Sequence, residues 1–338
     1  MDYKESGVDI KAGEKAVDSI KNIVRKTYNN NVLTELGSFG GLYNLDLSKW
    51  QSPVMVASTD GVGTKILVAQ KAKKYDTIGQ DLVNHCVNDI FVQGASPQFF
   101  MDYIGLAKMN ADMIKEIIEG MALACIENEM SLIGGEMAEM PDVYHGEDFD
   151  LVGTIVGLVE KDQIITGEKI QENDIVIGFP STGLHTNGYT LARKIVFDKL
   201  GYDVKTYVDE LGETVEEALL TVHRSYFKML KKWAKPSIIH GMAHITGGGL
   251  VGNIKRILSK GLSVDINTQA WEIPRLFTWL VEKGNIPLFD AFSAFNMGIG
   301  FVVIASEPET TQILKETDGI KIGKVTKKVT DDIVMLKF

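Results

Sequence analysis

Residues 53–65 read PVMVASTDGVGTK, an apolar run that leads directly into a stretch rich in polar groups. From Ser58 to Lys65 the chain presents a carboxylate, two glycines, hydroxyl groups and a lysine. Glycines let backbone N–H groups approach phosphate oxygens, a carboxylate binds a hard cation, and a lysine supplies positive charge. The order differs from that of a Walker A loop, Gly-x-x-x-x-Gly-Lys-Ser/Thr. We therefore predict a strand that ends in a polyphosphate-binding loop on another scaffold, with these candidate residues: Asp60, Gly61, Gly63, Thr64 and Lys65.

The bulk composition is that of an ordinary globular protein. The 338 residues are 45% hydrophobic and 24% charged, and a chain of this length usually forms two domains. The net charge of -10 argues against non-specific binding to nucleic acid or to anionic membranes. No apolar segment reaches the roughly 18 residues that a bilayer span needs, and the polar N-terminus is not a secretory signal. We expect a cytoplasmic protein in which Cys86 and Cys125 are buried free thiols.

Apolar periodicity predicts helices over 11–28, 76–93 and 111–129. Strand-like runs occupy 53–58, 98–107, 131–134, 151–159, 174–179, 262–266, 299–304 and 332–337. Helices alternate with strands through both halves, which predicts an α/β or α+β fold. The polar stretch at 160–173 is the best candidate for a boundary, so we expect domains at 1–165 and 166–338.

Acidic and amide side chains form the first candidate site. Asp60 ends one predicted strand, and Glu136 follows another. Asn88 and Asp89 lie on the helix predicted over 76–93. Carboxylates at strand ends together with an Asn-Asp pair would suit Mg²⁺ held with nucleotide phosphates. The alternative is that Asp89 and Asp81 only solvate an exposed helix face.

The glycine-rich segment 37–41 follows the first predicted helix. Its sequence is Gly-Ser-Phe-Gly-Gly. By itself it reads as an ordinary turn, because glycines are common where the backbone bends. If a nucleotide binds nearby, Gly40 and Gly41 could belong to a flexible flap over its phosphates.

The segment 180–188 connects a predicted strand to a predicted helix. Its Ser, Thr, Asn and Gly residues precede the helix N-terminus, which is a ready site for an anion. Thr182 and Asn187 are its candidate ligand-binding residues, and His185 adds a group that can transfer a proton near pH 7. The alternative is a capped helix with an incidental loop histidine.

The segment 247–252 matches the pattern Gly-x-Gly-x-x-Gly, with Asp265 at a spacing close to that of a dinucleotide-binding motif. This would suggest a dehydrogenase, but the preceding run at 239–246 is broken by two histidines and a glycine. Too little regular βαβ sequence follows to complete such a sheet. The turn at Gly247, Gly248 and Gly249 is better interpreted as a site for a substrate phosphate, which His244 could bind or help to orient.

Taken together, these motifs resemble the phosphoribosylformylglycinamidine cyclo-ligase family, the aminoimidazole ribonucleotide (AIR) synthetases. The resemblance rests on motifs at 3–10, 58–65, 76–79, 87–89, 93–97, 134–141, 181–188, 243–249 and 295–300. The Asn-Asp pair followed by Gly-Ala-x-Pro recurs in a wider superfamily of ATP-dependent phosphorylating enzymes. Two departures are visible, since Ser38 stands where the family more often has glycine and Met137 where it more often has threonine. Neither departure removes a charged group.

The resemblance implies a reaction. ATP would phosphorylate the formyl amide oxygen of formylglycinamidine ribonucleotide, an amidine nitrogen would attack the activated carbon, and AIR, ADP and phosphate would leave. Within the enzymes, the alternative is another member of the superfamily that phosphorylates a different amide or carboxylate. A second alternative is a catalytically silent nucleotide-binding protein.

The resemblance also assigns roles to residues of this sequence. It implies Mg²⁺ ligands at Asp60, Asp89 and Glu136 with support from Asn88, and substrate or transition-state handling by Lys21 and His185. ATP phosphates would face Gly40, Gly41, Gly61, Gly63, Thr64 and Lys65. The ribonucleotide would face Thr182, Asn187, His244, Gly247, Gly248 and Gly249. The family fold is two α/β domains, and it implies a homodimer in which two N-terminal sheets form a barrel and each C-terminal sheet is layered with helices.

Overall fold

The chain folds into two compact units, and the main boundary between them follows Glu160. The computed structural model describes residues 10–328 and 333–338. Unit 1 runs to Ile90 and resumes over Ser96–Glu160, whereas unit 2 comprises Phe91–Ala95 and Lys161–Phe338. Residues 3–9, which hold most of the first motif of the resemblance, lie outside the described residues.

Unit 1 is built from helices α1 to α4 and strands β1 to β4. The helices are α1 (Ile10–Arg25), α2 (Ile66–Ala72), α3 (Asp76–Phe91) and α4 (Ala111–Glu127). The strands are β1 (Pro53–Gly61), β2 (Ser96–Leu106), β3 (Ser131–Glu139) and β4 (Phe149–Glu160). The sheet order is β1-β4-β2-β3, in which β4 is antiparallel to both neighbours and β2 is parallel to β3.

The apolar stripe of α4 packs into the core, and a close crossing with α3 fixes its position. The helix begins after Asn110, whose Oδ1 accepts a hydrogen bond from the backbone N–H of Met113 at 3.1 Å. A Cβ on Gly79 of α3 would lie 2.0 Å from the carbonyl oxygen of Ile117. A Cβ on Gly120 would lie equally close, 2.0 Å, to the carbonyl oxygen of Asp76. The two helices can therefore cross with their backbones in contact only because both positions are glycine.

Unit 2 is built around a second sheet. Its strands are β5 (Ile175–Pro180), β6 (Tyr207–Val208), β7 (Glu213–Thr214), β8 (Ile239–His244), β9 (Leu262–Asn267), β10 (Ile299–Ala305), β11 (Ile320–Lys327) and β12 (Val334–Lys337). Its helices are α5 (Tyr189–Arg193), α6 (Val215–Leu219), α7 (Phe227–Leu230), α8 (Gly249–Lys255), α9 (Arg275–Gly284), α10 (Leu288–Ala294) and α11 (Glu307–Glu316). A π-helical segment, Lys194–Lys199, continues α5.

The main sheet of unit 2 has the order β12-β9-β11-β5-β10-β8. Strands β5 and β8 are both antiparallel to the fully buried β10 between them, so they run in the same direction. Their last residues therefore lie at one edge of the sheet. The loops that follow β5 and β8, and the loop that precedes β10, converge at that edge.

The α/β prediction with helices alternating with strands is confirmed, but several boundaries differ. Strand β3 continues to Glu139, so Glu136 lies inside the strand and not after it. The run that begins at Ile239 forms strand β8 despite its histidines and glycine, because the central β10 supplies a partner along its length. Strand β11, Ile320–Lys327, was not anticipated. Among the described residues, no helix is both long enough and apolar enough to cross a bilayer.

Candidate active site

Strand β1 and helix α3 bring Asp60, His85 and Asp89 together. Nε2 of His85 lies 2.9 Å from Oδ2 of Asp60 and 3.6 Å from Oδ2 of Asp89. One ligand atom from each of these residues lies within 4.8 Å of the others. Ser58 Oγ donates to Asp89 Oδ2 at 3.3 Å, which ties the helix to the strand. Two carboxylates at this separation, one of them largely exposed, are a donor set that fits Mg²⁺.

His85 lies close to both carboxylates, and their charges affect its pKa. Burial opposes its charged form, but the hydrogen bond to Asp60 and the charges of Asp89, Asp60 and Asp81 outweigh burial, so the pKa of His85 is raised. Positive charge is therefore stabilised at this position. His85 was absent from the predicted site, although its spacing of i, i+4 from Asp89 places both on one face of α3.

Glu136 and Asn88 do not join this cluster in the way that the sequence suggests. Glu136 is exposed on β3, and strands β4 and β2 lie between β3 and β1. The sequence shows only that each acidic residue belongs to a strand that runs into glycine; strand order then separates Glu136 from Asp60 within unit 1. Asn88 is fully buried on α3.

The position of the Lys65 side chain differs from the phosphate-loop prediction. Its Nζ lies 2.7 Å from Oδ2 of Asp81, and both side chains are completely buried. Burial lowers the pKa of Lys65, while the charge of Asp81 and the hydrogen bond to it act in the opposite direction. The charge of Lys65 is therefore matched within the core and does not face the loop surface.

The rest of the loop keeps the predicted glycine geometry. The backbone N–H of Gly61 donates to Oδ1 of Asp60 at 2.7 Å, which orients that carboxylate. Gly63 has a φ of 57°, a left-handed conformation that glycine adopts at low cost. It opens a 3₁₀ turn, Gly63–Lys65, that contains the half-buried Thr64.

A cavity of about 330 Å³ lies beside β3, between α1, α4 and the flap at 37–41. Gly40, Gly41, Asp102 and Glu136 are among its lining residues. A Cβ on Gly41 would lie 2.9 Å from both the carbonyl oxygen and Cδ1 of Ile133, whereas a Cβ on Gly40 would meet nothing within 4 Å. One end of the flap is thus fixed against β3, and its tip carries the fully exposed Phe39.

Lys21 lies on α1, the helix that forms one wall of this cavity. Its Nζ is 2.7 Å from Oδ1 of Asp18, and the side chain is 41% exposed. An exposed pair of this kind contributes little to stability and separates easily. Lys21 is therefore available to another anion.

In unit 2, the loop at 181–188 holds His185 in a strained, buried position. His185 has a φ of 61° and is 1% exposed, and its Nε2 accepts a hydrogen bond from the backbone N–H of Thr182 at 3.2 Å. A Cβ on Gly300 would lie 2.4 Å from Cε1 of His185, so the glycine makes room for the ring. Thr182 uses its Oγ1 to donate to the carbonyl oxygen of Val222 at 2.5 Å.

Two further histidines extend this arrangement. The rings of His185 and His223 stack with centroids 4.0 Å apart, and Nε2 of His223 lies 3.1 Å from Nε2 of His244. One nitrogen of that second pair donates and the other accepts, so the protonation of the two rings is coupled. His223 is fully buried and was not predicted as a site residue, because nothing in the local sequence indicates its two histidine neighbours.

Hydrogen bonds from Asn253 stabilise the turn after β8. The Nδ2 of Asn253 donates to the carbonyl oxygens of Thr246, Gly247 and Gly249 at 3.2, 3.3 and 2.8 Å. Gly248 and Gly249 have φ values of 92° and 59°, and the Oδ1 of Asn187 would be 3.6 Å from a Cβ on Gly247. The structure therefore brings Asn187 next to the glycine turn, as a shared phosphate site requires.

The dinucleotide-binding interpretation of this turn is excluded by topology. A dinucleotide-binding motif follows a strand of a parallel sheet. Strand β8 is an edge strand whose neighbour, β10, is antiparallel to it. The helix that follows it, α8, has only 7 residues.

Comparison with family models identifies both halves of the chain. Residues 46–159 match the AIR synthase related protein, N-terminal domain, and residues 171–335 match the AIR synthase related protein, C-terminal domain. Among solved structures, thiamine-monophosphate kinase from Stenotrophomonas maltophilia is similar with a TM-score of 0.71 at 15% identity, covering 94% of this chain and 96% of that one. The hydrogenase maturation protein HypE in complex with ATP has a TM-score of 0.64 at 16% identity, covering 98% and 92%. At such identities these structures show a shared fold.

Curated relatives are far closer in sequence. The phosphoribosylformylglycinamidine cyclo-ligase of Trichlorobacter lovleyi is 43% identical over 342 residues, which cover 99% of this chain and 98% of the relative. That of Alkaliphilus oremlandii is 46% identical and covers 91% of this chain and 90% of the relative. Identity of this level over the full length of both units means that the chain belongs to the phosphoribosylformylglycinamidine cyclo-ligase family, which is a family of ligases.

Proposed function

We propose that this chain closes the imidazole ring of aminoimidazole ribonucleotide in purine biosynthesis, using ATP to phosphorylate the formyl amide oxygen of formylglycinamidine ribonucleotide. Phosphorylation converts a poor leaving oxygen into phosphate, and an amidine nitrogen then attacks the activated carbon. ADP and phosphate are released. The observation that carries this proposal is identity above 40% to enzymes of that name over the whole chain.

Unit 1 is the part that would hold ATP and its metal. Asp60 and Asp89 would bind Mg²⁺, which supplies positive charge to the phosphates being transferred. Asn88 would support that site. Glu136, which two strands separate from β1, would serve another part of the bound nucleotide or a second ion. The phosphates would face Gly40, Gly41, Gly61, Gly63 and Thr64. Lys65 is left out of this set because its ammonium is buried against Asp81.

Unit 2 is the part that would bind the ribonucleotide. Gly247, Gly248 and Gly249 present backbone groups in a turn that Asn253 holds open, and Asn187 lies beside it. Thr182 and His244 would complete the substrate contacts. His185 would move a proton during ring closure, since its Nε2 accepts from a backbone amide and a neutral ring then carries its proton on Nδ1.

Lys21, on α1 of unit 1, would stabilise negative charge on the phosphates.

A homodimer is also part of the proposal, with domains at 1–165 and 166–338. The helices contact the face of the first sheet that carries Ser58 and Asp60. The opposite face presents a register row of Ala57, Val156 and Phe99, all partly or fully exposed. Tyr43 packs against Phe99 with ring centroids 5.2 Å apart, but Ala57 stays exposed on this face. A second copy of the same sheet would cover the face and form a barrel with it.

Two other functions are the alternatives to this proposal. Another enzyme of the superfamily would phosphorylate a different amide or carboxylate, and a silent relative would bind ATP without turnover. The paired Asp60 and Asp89 favour an active enzyme, because a silent protein gains nothing from holding two carboxylates together.

The test is ADP release on addition of formylglycinamidine ribonucleotide in the presence of ATP and Mg²⁺, with ring closure followed by absorbance. Substrate-dependent ADP release with stoichiometric product supports the proposal. ADP release with another amide, and none with this one, would favour the other superfamily function. Binding of ATP with no release in either case would indicate the silent relative.

The variant Asp60→Asn tests the metal assignment. Asn retains the shape of the side chain but has no charge, so turnover should fall by more than about 100-fold at saturating Mg²⁺. Asp142→Asn, a change at an exposed position, is the matched control. Turnover of Asp60→Asn within about twofold of the unaltered protein would refute the role of Asp60, on the scale of effects expected for a metal ligand.

A further inference from the structure

Asp102 is a carboxylate in the cavity of unit 1 that the proposed mechanism does not use. It lies on β2, and the strand registers place Asp60, Gly153, Asp102 and Gly135 in one row across the four-stranded sheet. Residues directly opposite each other on neighbouring strands point to the same face. Asp102 therefore points to the helix-covered face, as Asp60 does.

The two glycines that flank Asp102 in this row leave space for neighbouring side chains, Gly135 for the Asp102 carboxylate and Gly153 for Phe100. A Cβ on Gly135 would lie 2.3 Å from Oδ1 of Asp102. A Cβ on Gly153 would lie 2.2 Å from the ring of Phe100, which shares the strand and face of Asp102. The carboxylate of Asp102 thus occupies space that a side chain at Gly135 would fill, and Asp102 lines the cavity.

Aliphatic side chains form much of the cavity wall, which also includes Glu35 and Glu136. Val17, Ile20 and Val24 of α1 lie on one side, and Ile118 of α4 with Leu132 and Ile133 of β3 lie on others. Within residues 10–328 and 333–338, the hydrogen bonds and ion pairs include none from another residue to the Asp102 carboxylate, whose hydrogen bond comes from its own backbone N–H. Burial raises the pKa of Asp102 to about 7, against which that backbone hydrogen bond acts.

A planar, uncharged ring with a hydrogen-bond donor at its edge satisfies these conditions. Apolar walls with few polar groups are typical of ligand pockets, and the volume of about 330 Å³ lies within their range. A metal ion is a poorer match, because Asp102 belongs to no group of three ligating side chains among the described residues.

We propose that Asp102 accepts a hydrogen bond from the exocyclic amino group of the adenine of ATP, with the ring held between the aliphatic walls of this cavity. The proposal deepens the proposed function and rests on it, because it assigns the base of the nucleotide whose phosphates Asp60 and Asp89 would serve. Asp102 is two strands from Asp60, about 10 Å at the usual strand spacing, which one nucleoside can span. The glycine flap at 37–41 lines the same cavity.

The test pairs a change in the protein with a change in the nucleotide. Purine riboside triphosphate lacks the 6-amino group of ATP, so the unaltered protein should show a KM for it about tenfold above that for ATP. Asp102→Ala should raise the KM for ATP by a similar factor and should not raise further the KM for the analogue. Asp102→Asn, which retains an oxygen acceptor, should bring the KM for ATP back to within about threefold. Such non-additivity reports a direct contact between the two altered groups.

Two outcomes would overturn the proposal, and a third would test the proposed function instead. Equal KM values of the unaltered protein for the two nucleotides do so without any variant, and therefore even if Asp102→Ala fails to fold. A rise caused by Asp102→Ala that is the same for both nucleotides indicates a structural role for Asp102 only. A lack of turnover with either nucleotide counts against the proposed function, and calorimetric Kd values for the same nucleotides and variants then decide the role of Asp102 separately.

Discussion

Lys65 and Asp81 show how burial can change the role that a motif suggests for a single residue. Both side chains are fully buried, and their charged atoms are 2.7 Å apart. Replacing Lys65 by Met leaves the Asp81 carboxylate buried without that partner. We expect the free energy of unfolding to fall by about 3–5 kcal/mol, measured by urea denaturation.

Lys74→Met, at an exposed position, is the control for the loss of a lysine. Adding Asp81→Leu to Lys65→Met should recover part of the stability, because the uncompensated charge is removed. A loss no greater than that of Lys74→Met would mean that the pair does not stabilise the fold.

The raised pKa of the Asp102 carboxyl makes the stability of the folded protein depend on pH. Its pKa is about 7 in the folded protein and near 3.8 in the unfolded chain, so between these values the unfolded chain releases the proton first. Stability of the unaltered protein should therefore fall as pH rises through this window. Asp102→Asn does not titrate there, so its Tm advantage should grow from pH 5 to pH 7 and level off above about pH 7.

Scanning calorimetry at steps across that range is the measurement. Asp162→Asn, at an exposed position, controls for the general effect of removing a negative charge. A difference in Tm between Asp102→Asn and the unaltered protein that is constant from pH 5 to pH 8 would contradict the assignment.

At the scale of the element, the flap depends on which of its glycines contacts β3. Gly41 has no space for a Cβ because Ile133 is 2.9 Å away, whereas Gly40 has open space and an ordinary φ. Gly41→Ala must move the flap, and overpacking of this kind costs about 1–3 kcal/mol. We expect the KM for ATP to rise about tenfold or more in Gly41→Ala and to change less than about threefold in Gly40→Ala.

Steady-state kinetics at saturating ribonucleotide would measure both values. If the two variants behave alike, the contact with Ile133 does not position the flap. If neither variant changes the KM, the flap does not contact ATP.

The elements themselves were largely predictable, for a reason that β8 illustrates by exception. Helices such as α4 bury one continuous apolar face, so periodicity reveals them before any partner is known. Strand β8 contains His240 and His244, and it is a strand because β10 pairs with it. Its polar residues reflect its surroundings at the sheet edge, which the local pattern does not describe.

At the scale of the whole molecule, the face of the first sheet opposite its helices is the proposed site of contact between two copies of the chain. Val156 lies at the centre of the row with Ala57 and Phe99. A glutamate there would put a charge into the proposed apolar contact between two copies. We expect Val156→Glu to convert a dimer into a monomer, measured by light scattering after size-exclusion chromatography.

Tyr207→Glu introduces the same charge at an exposed apolar position in unit 2 and is the control. A dimer that persists in Val156→Glu at low micromolar concentration would place the interface elsewhere. A monomeric unaltered protein would remove the homodimer from the proposal.

Much of the site could be identified from sequence, but its internal grouping could not. Asp60 and Asp89 belong to ordered motifs, so the resemblance points to them directly. Asp102 and His223 were missed because a lone aspartate or histidine within an apolar pattern carries no local signal. His85 was missed although its i, i+4 spacing from Asp89 places both on one helix face. Glu136 was grouped with Asp60 because both lie in strands that run into glycine, and only the strand order separates them.

The sequence by itself determined the family, the alternation of helices and strands, and the glycine turns, since each depends on residue type and short-range spacing. The tertiary structure decided which charges meet. It buried Lys65 against Asp81, brought His85 between Asp60 and Asp89, and placed Asp102 in an apolar cavity. The physical reason is that charge interactions depend on distance and on exclusion of water, and both are set by packing between elements that are far apart in the chain.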